Sequence, residues 1–75
     1  MKVIYDPETD TLTIVLREVA RVVESEELRE GVIADYDVNG DIVSIEVIHA
    51  ERRVSDPHNI VFESRGHVSH DATSR

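Results

Sequence analysis

The stretch that decides the fold is residues 35–46, Asp-Tyr-Asp-Val-Asn-Gly-Asp-Ile-Val-Ser-Ile-Glu. At its centre an Asn39-Gly40 pair stands between two runs in which apolar and polar residues alternate. Asn-Gly strongly favours a two-residue turn, and alternation with a period of two is typical of β-strands. The stretch therefore predicts a β-hairpin made of strands 32–36 and 42–48.

A two-residue turn also predicts the register of this hairpin. Shifting the register by one residue would place Val32 opposite Glu46, so the hydrophobic pattern favours the unshifted pairing. The predicted pairs are Tyr36 with Val43, Ala34 with Ile45 and Val32 with Val47 on one face, and Asp37 with Ile42, Asp35 with Ser44 and Ile33 with Glu46 on the other.

The same stretch also fits the pattern of a calcium-binding loop. Asp35, Asp37 and Asn39 occupy its first, third and fifth positions, Gly40 the sixth and Glu46 the twelfth. That loop needs a helix on each side, however, and here the flanking residues alternate as strands do. We therefore favour the hairpin, and keep the four oxygen-bearing residues as candidate ligands of Ca²⁺ or Mg²⁺.

Three further segments complete the predicted fold. Residues 2–5 and 11–16 form a first hairpin, with Tyr5 opposite Leu12, around an Asp-Pro-Glu-Thr-Asp turn. Residues 22–28 form either a charged edge strand or a short helix, and residues 49–54 suit one or two helical turns. The predicted fold class is mainly β, a four- to five-stranded antiparallel meander of hairpins with a short C-terminal helix.

The chain of 75 residues predicts a single domain at residues 1–63 and a polar, flexible tail at 64–75. A domain this small has a thin core, and without cysteine no disulfide can reinforce it. Five apolar residues on the second face of the sheet need cover from residues 49–62 or from another subunit, which predicts a homodimer. They are Ile4, Val15, Ile33, Ile42 and Ile48.

Charge narrows the range of partners. Eight basic and sixteen acidic residues give a net charge of −8, which disfavours binding to nucleic acid or to an anionic membrane. With no long apolar run and no signal-like start, a cytoplasmic location is expected. The acidic group Glu24, Glu26, Glu27 and Glu30 lies on the predicted edge strand, where it suits a basic protein partner.

Three segments resemble a known family. Residues 3–16 are similar to its opening "YDPEADALYIRL", residues 24–37 to its middle "E-x-E-E…DGVIVDYD", and residues 40–48 to its last strand "GRVVGIEIL". The resemblance covers residues 2–54 and is to the DUF2283 family of short prokaryotic proteins. Thr13 departs from the family's preference for an aromatic residue, and the chain after Val54 is longer than usual.

The resemblance implies a compact β-rich domain of unassigned activity, with an antitoxin-like or accessory role and a small toxin as one possible basic partner. It supplies no catalytic residues. The sequence itself indicates no catalytic residues either: there is no cysteine nucleophile, and three isolated glycines make no phosphate-binding loop. We therefore favour a non-enzymatic protein-interaction module. The alternative is a divalent-metal-binding protein or metal-dependent hydrolase that uses the acidic cluster.

Overall fold

The computed structural model describes residues 1–66 and contains one antiparallel sheet of five strands, in the order β1-β2-β5-β4-β3. The predicted fold class is confirmed, because hairpin-linked strands are followed by one short helix. Residues 67–75 of the predicted tail lie outside the described residues. The elements are β1 Lys2–Asp6, β2 Thr11–Val15, β3 Glu24–Arg29, β4 Val32–Tyr36, β5 Ile42–Ile48 and α1 Ala50–Arg53.

The first hairpin has the predicted register, with Tyr5 opposite Leu12 and Val3 opposite Ile14. Asp6 shapes the predicted turn by accepting the backbone N–H of Glu8 at 2.9 Å, which makes an Asx turn. The turn ends at Asp10, whose φ of 53° lies in the left-handed region that Asp tolerates better than most residues.

The second hairpin confirms the strands but corrects the turn. Gly40 N–H donates to the carbonyl of Asp37 at 3.0 Å, so the turn spans residues 37–40 and not only Asn39-Gly40. A bulge in β5 then pairs Tyr36 with Ile42, which makes the predicted pairs Tyr36 with Val43 and Asp37 with Ile42 wrong. Beyond the bulge the predicted register is restored: Asp35 pairs with Ser44, Ala34 with Ile45, Ile33 with Glu46 and Val32 with Val47.

Residues 24–29 form a strand and not a helix, and β3 lies at one edge of the sheet. It pairs with β4 through a register that shifts between Glu27 and Arg29. The turn to β4 uses Gly31, whose φ of 81° is easily adopted only without a side chain. The chain reaches β3 from β2 through residues 16–23, which cross the end of the sheet beside the β4–β5 turn. Three backbone hydrogen bonds secure this crossing: Leu16 N–H and Arg17 N–H both donate to the carbonyl of Val43, and Val23 N–H donates to the carbonyl of Tyr36.

The sheet has two unequal faces. We call one the apolar face, because every one of its positions on four adjacent strands is apolar or aromatic: Val3, Tyr5, Leu12, Ile14, Ile45, Val47, Val32, Ala34 and Tyr36. The other, here called the mixed face, carries both apolar and polar side chains: Lys2, Ile4, Asp6, Thr11, Thr13, Val15, Ser44, Glu46, Ile48, Ile33 and Asp35.

The core is thin. Among the described residues the buried hydrophobic side chains are Leu12, Ala34, Val43 and Ala50, and no large side chain is fully buried. Helix α1 packs Ala50 at the β1–β2 turn, where its N–H donates to the carbonyl of Asp10 at 2.9 Å. A domain normally buries its sheet under a second layer, and one helical turn supplies little of it.

The C-terminal segment does not cover the mixed face in the way predicted. The His58 ring meets Tyr5, a residue of the apolar face, with ring centroids 4.8 Å apart. The bulge also moves Ile42 opposite Tyr36, so Ile42 does not belong to the mixed face. On that face Ile4 remains 45% exposed. The prediction that the protein is a homodimer is not tested by this arrangement.

Candidate interaction surfaces

The acidic strand β3 is exposed along its whole length. Glu24 and Glu26 pair with Tyr36 and Ala34, so both project on the side of the apolar face, whereas Glu27 pairs with Ile33 on the side of the mixed face. Glu30 lies in the turn that follows β3. The four residues predicted to meet a partner therefore line one edge of the sheet, but they divide between its two sides.

Two of these glutamates also have partners within the fold. Tyr36 donates its hydroxyl to Glu26 Oε1 at 3.1 Å, and Gly31 N–H donates to Glu27 Oε2 at 3.1 Å. Burial raises the pKa of Tyr36, and the hydrogen bond to Glu26 and the nearby charges of Glu26 and Glu24 raise it further. Glu24 and Glu30 make no side-chain hydrogen bond within residues 1–66, which leaves their carboxylates to solvent or to a partner.

The predicted cation-loop residues occupy two separate places. Asp37 and Asn39 belong to the turn, where Asp37 Oδ1 accepts the backbone N–H groups of Asn39 at 2.9 Å and of Asp41 at 3.0 Å. Asp35 and Glu46 lie further along the strands, on the mixed face. Within residues 1–66 no group of three or more acidic or histidine side chains is arranged to hold a metal ion.

Asp35 is the centre of a polar cluster that spans three strands. Ser25 of β3 donates to its Oδ1 at 2.6 Å, and Ser44 of β5 donates to its Oδ2 at 2.6 Å. Both Asp35 and Ser44 are buried. Burial alone would raise the pKa of Asp35, but hydrogen bonds from Glu46, Ser25 and Ser44 outweigh it and lower that pKa.

Glu46 takes the opposite role in this cluster. Its hydrogen bond to Asp35 raises the pKa of Glu46, and burial and the Asp35 charge act in the same direction. Asp35 is thus the carboxylate and Glu46 the carboxyl group that retains its proton to higher pH. The sequence predicted that Asp35 faces Ser44, but the contribution of the third strand was missed, because the pairing of β3 with β4 had no turn signature to set its register.

Arg17 binds the β4–β5 turn from the crossing segment. Its guanidinium lies 2.7 Å from Asp37 Oδ2 and 3.4 Å from Asp41 Oδ2. Hydrogen bonds from Asp41 and Asn39 N–H and the Arg17 charge lower the pKa of Asp37, against the effect of burial. A depression of about 430 Å³ adjoins this ion pair, lined by Arg17, Ala20, Arg21, Val23, Asp37 and Val38. Because residues 17–20 showed no periodic pattern, this contact was not predicted.

At the opposite end of the sheet, Asp10 joins the first hairpin to the helix. Its Oδ1 accepts the Tyr5 hydroxyl at 2.7 Å and the Glu51 N–H at 3.1 Å. The hydrogen bond to Asp10 is the main cause that raises the pKa of Tyr5 to about 12. With His58 against the Tyr5 ring, the end of β1 is the place where the C-terminal segment meets the sheet.

A family profile described as "Protein of unknown function (DUF2283)" matches residues 2–51, which is two thirds of the chain. The protein belongs to the DUF2283 family. The resemblance drawn from residues 2–54 is thereby confirmed, and the matched region contains all five strands of the sheet. No curated protein and no solved structure matches the chain. In the part of this DUF2283 protein that the structure describes, no helix is long and apolar enough to cross a membrane.

Proposed function

We propose that this DUF2283 protein is a non-enzymatic protein-interaction module that acts as a homodimer and presents the acidic strand β3 to a basic protein. The observation that supports it most is the single-layered sheet, which leaves apolar side chains on both faces and at one edge accessible. Large exposed apolar surfaces on small soluble proteins mark sites of association. A second copy is the partner that is always present at the same concentration.

The distribution of charge supports β3 as the surface for a basic protein and a contact away from β3 for the second copy. On the chain of net charge −8, β3 is the strand with the densest acidic residues and it is exposed throughout. Association of two such chains is favoured where acidic residues are sparse, which excludes β3 from the contact between copies. A basic protein, by contrast, is attracted to β3 and approaches it faster at low ionic strength.

Charge reversal tests the role of β3. The triple variant Glu24→Lys, Glu26→Lys and Glu27→Lys should lose a basic partner captured by the wild-type protein. A control triple variant, Glu8→Lys, Glu51→Lys and Glu63→Lys, makes the same change in net charge away from β3 and should retain it. The captured protein is then purified and titrated against all three forms at two salt concentrations. Equal affinity for the two triple variants would remove β3 as the partner surface.

The alternative is a divalent-cation protein, and a metal titration separates it from this proposal. Backbone amide NMR during addition of CaCl₂ and of MgCl₂ should show no saturable shifts confined to residues 35–46. Saturable shifts there that disappear in Asp35→Asn would favour the metal alternative. The control is Asp56→Asn, which removes an exposed carboxylate outside residues 35–46.

A further inference from the structure

Strand β1 forms the free edge of the sheet opposite to β3. Apart from its ladder with β2, no backbone hydrogen bond within residues 1–66 involves residues 2–6. Its outward N–H and C=O groups are therefore open to pairing. An uncovered edge strand is a template for another strand unless charge, a bulge or proline prevents it.

The two edges differ in this protection. Strand β3 has both a bulge and a run of charged residues. Strand β1 has neither: its sequence is Lys-Val-Ile-Tyr-Asp, with charges only at its two ends. Val3 is 37% exposed and Ile4 45% exposed. The segment that follows His58 begins beside Tyr5 and carries three more exposed apolar residues, Ile60, Val61 and Phe62. Strand β1 and the segment that follows His58 therefore both present exposed apolar side chains.

The sequence of β1 is complementary to itself. When two copies are placed antiparallel about Ile4, Lys2 of each lies opposite Asp6 of the other, Val3 opposite Tyr5, and Ile4 opposite Ile4. Residues opposite each other project to the same face, so the ion pairs lie on the mixed face and the Val–Tyr pairs on the apolar face. Lys2 makes no salt bridge within residues 1–66, and Asp6 uses one carboxylate oxygen for the Glu8 N–H.

We propose that two copies of this protein pair through β1, antiparallel about Ile4, to form one continuous ten-stranded sheet with two reciprocal Lys2–Asp6 ion pairs. The proposal rests on the homodimer proposed above and names its contact. The two acidic β3 strands then form the outer edges of the dimer, as far apart as the sheet allows. The repulsion between two chains of charge −8 is reduced by this arrangement.

A charge-swap experiment tests the register. Lys2→Glu alone places two acidic residues opposite each other at both ends, and Asp6→Lys alone places two basic residues there. Each should raise the dimer dissociation constant about tenfold, since exposed pairs contribute modestly and like charges repel. An equimolar mixture of the two variants restores opposite charges across the contact, and it should form a heterodimer with an affinity near that of the wild-type homodimer.

The mixture also controls for damage to the monomer. Asp6→Lys removes the carboxylate that binds Glu8 N–H, and such a loss inside one chain cannot be repaired by a second variant chain. If both single variants unfold at the wild-type urea concentration, and yet both dimerise weakly and their mixture is equally weak, the register is overturned. If both single variants dimerise as the wild type does, the β1 contact is wrong while the homodimer of the proposed function stands. A wild-type protein that is monomeric would refute both.

A disulfide experiment gives an independent readout, because the natural chain has no cysteine. Residues directly opposite each other have Cβ atoms about 4.5–5.5 Å apart, close enough for Ile4→Cys to form an intermolecular disulfide under mild oxidation. Thr13→Cys is the matched control, since Thr13 lies opposite Ile4 one strand further in. In the proposed dimer the two residues at position 13 would be about 14 Å apart, which is three strand spacings, and they should not cross-link. Equal cross-linking of the two variants would contradict the pairing.

Discussion

At the scale of single residues, the carboxyl groups of Asp35 and Glu46 are the most unusual feature of the protein. The two acidic side chains lie close together on the mixed face, and their interaction contributes to pKa shifts in opposite directions. The Asp35 carboxylate is held by two serine hydroxyls, and its proximity raises the pKa of Glu46. The pair therefore stabilises the fold best between the lowered pKa of Asp35 and the raised pKa of Glu46.

The pH dependence follows from the direction of each shift. The raised pKa of Glu46 means that its contribution is complete below its ordinary value of 4.5 and is lost as the pH rises through the raised pKa. The lowered pKa of Asp35 means that its contribution is present above 3.8 and is lost as the pH falls through the lowered pKa. The pair thus favours the folded state in mildly acidic solution more than at neutral pH.

Glu46→Gln tests this assignment. Glutamine donates a hydrogen bond to Asp35 at every pH, so the variant should be more stable than the wild type at neutral pH by about 1 kcal/mol. At a pH below the ordinary value of Glu46 the difference should vanish. Urea unfolding at both pH values measures the free energies, with Glu8→Gln as a control for the loss of one negative charge. A variant that is destabilised equally at both pH values would contradict the raised pKa of Glu46.

The two serines around Asp35 offer a comparison in which only burial differs. Ser44 is buried and Ser25 is exposed, while both donate to the same carboxylate at 2.6 Å. Ser44→Ala should lower the free energy of unfolding by about 2 kcal/mol, and Ser25→Ala by clearly less, since water can replace the exposed hydroxyl. Urea unfolding at constant pH measures both, and equal losses would show that burial of the donor does not decide the effect.

At the scale of elements, the hairpin of β4 and β5 shows what a local pattern can and cannot predict. The alternation of residues 32–36 and 42–48 predicted both strands with the bounds that the structure has. The turn was predicted one residue too short on its N-terminal side, because Asn-Gly suits the two-residue turn as well as the left-handed glycine at the end of a longer one. Asp37 favours the longer turn over the two-residue turn, since its carboxylate accepts N–H groups from both Asn39 and Asp41.

The other elements also were predictable only where a local sequence pattern sets their structure. The first hairpin was predicted with its register because the turn around Pro7 and the apolar pattern agree. Strand β3 could be read as a strand or a helix, since glutamates at consecutive positions carry no period, and only its pairing with β4 resolves this. The Arg17–Asp37 ion pair joins residues twenty positions apart, and nothing local predicts it.

Substitution of Gly40 tests the corrected turn. Its φ is 84°, and a side chain there would meet no atom within 4 Å, so strain in the backbone is the only cost. Gly40→Ala should destabilise the protein by about 1–2 kcal/mol, and Gly40→Asn by less, because Asn tolerates the left-handed region. Thermal and urea unfolding measure the order. Equal stability of the alanine variant and the wild type would contradict a left-handed residue at this position.

At the scale of the whole molecule, one sheet with a single helical turn is an incomplete two-layered architecture. Apolar residues remain partly exposed on both faces, and the His58 ring of the C-terminal segment meets Tyr5 at the end of β1. The sequence predicted that apolar surface would remain uncovered, because the chain is small and its strands carry apolar residues on both sides. It could not predict where, because the bulge in β5 and the position of His58 depend on tertiary contacts.

The mass of the protein in solution tests the central claim most directly. Sedimentation equilibrium over a range of micromolar concentrations, with the full chain, should give twice the chain mass and a dissociation constant that rises in the Lys2→Glu variant. A charge reversal on β3, such as Glu24→Lys, should leave that dissociation constant unchanged. A wild-type protein that remains at the mass of one chain at every concentration would contradict the homodimer.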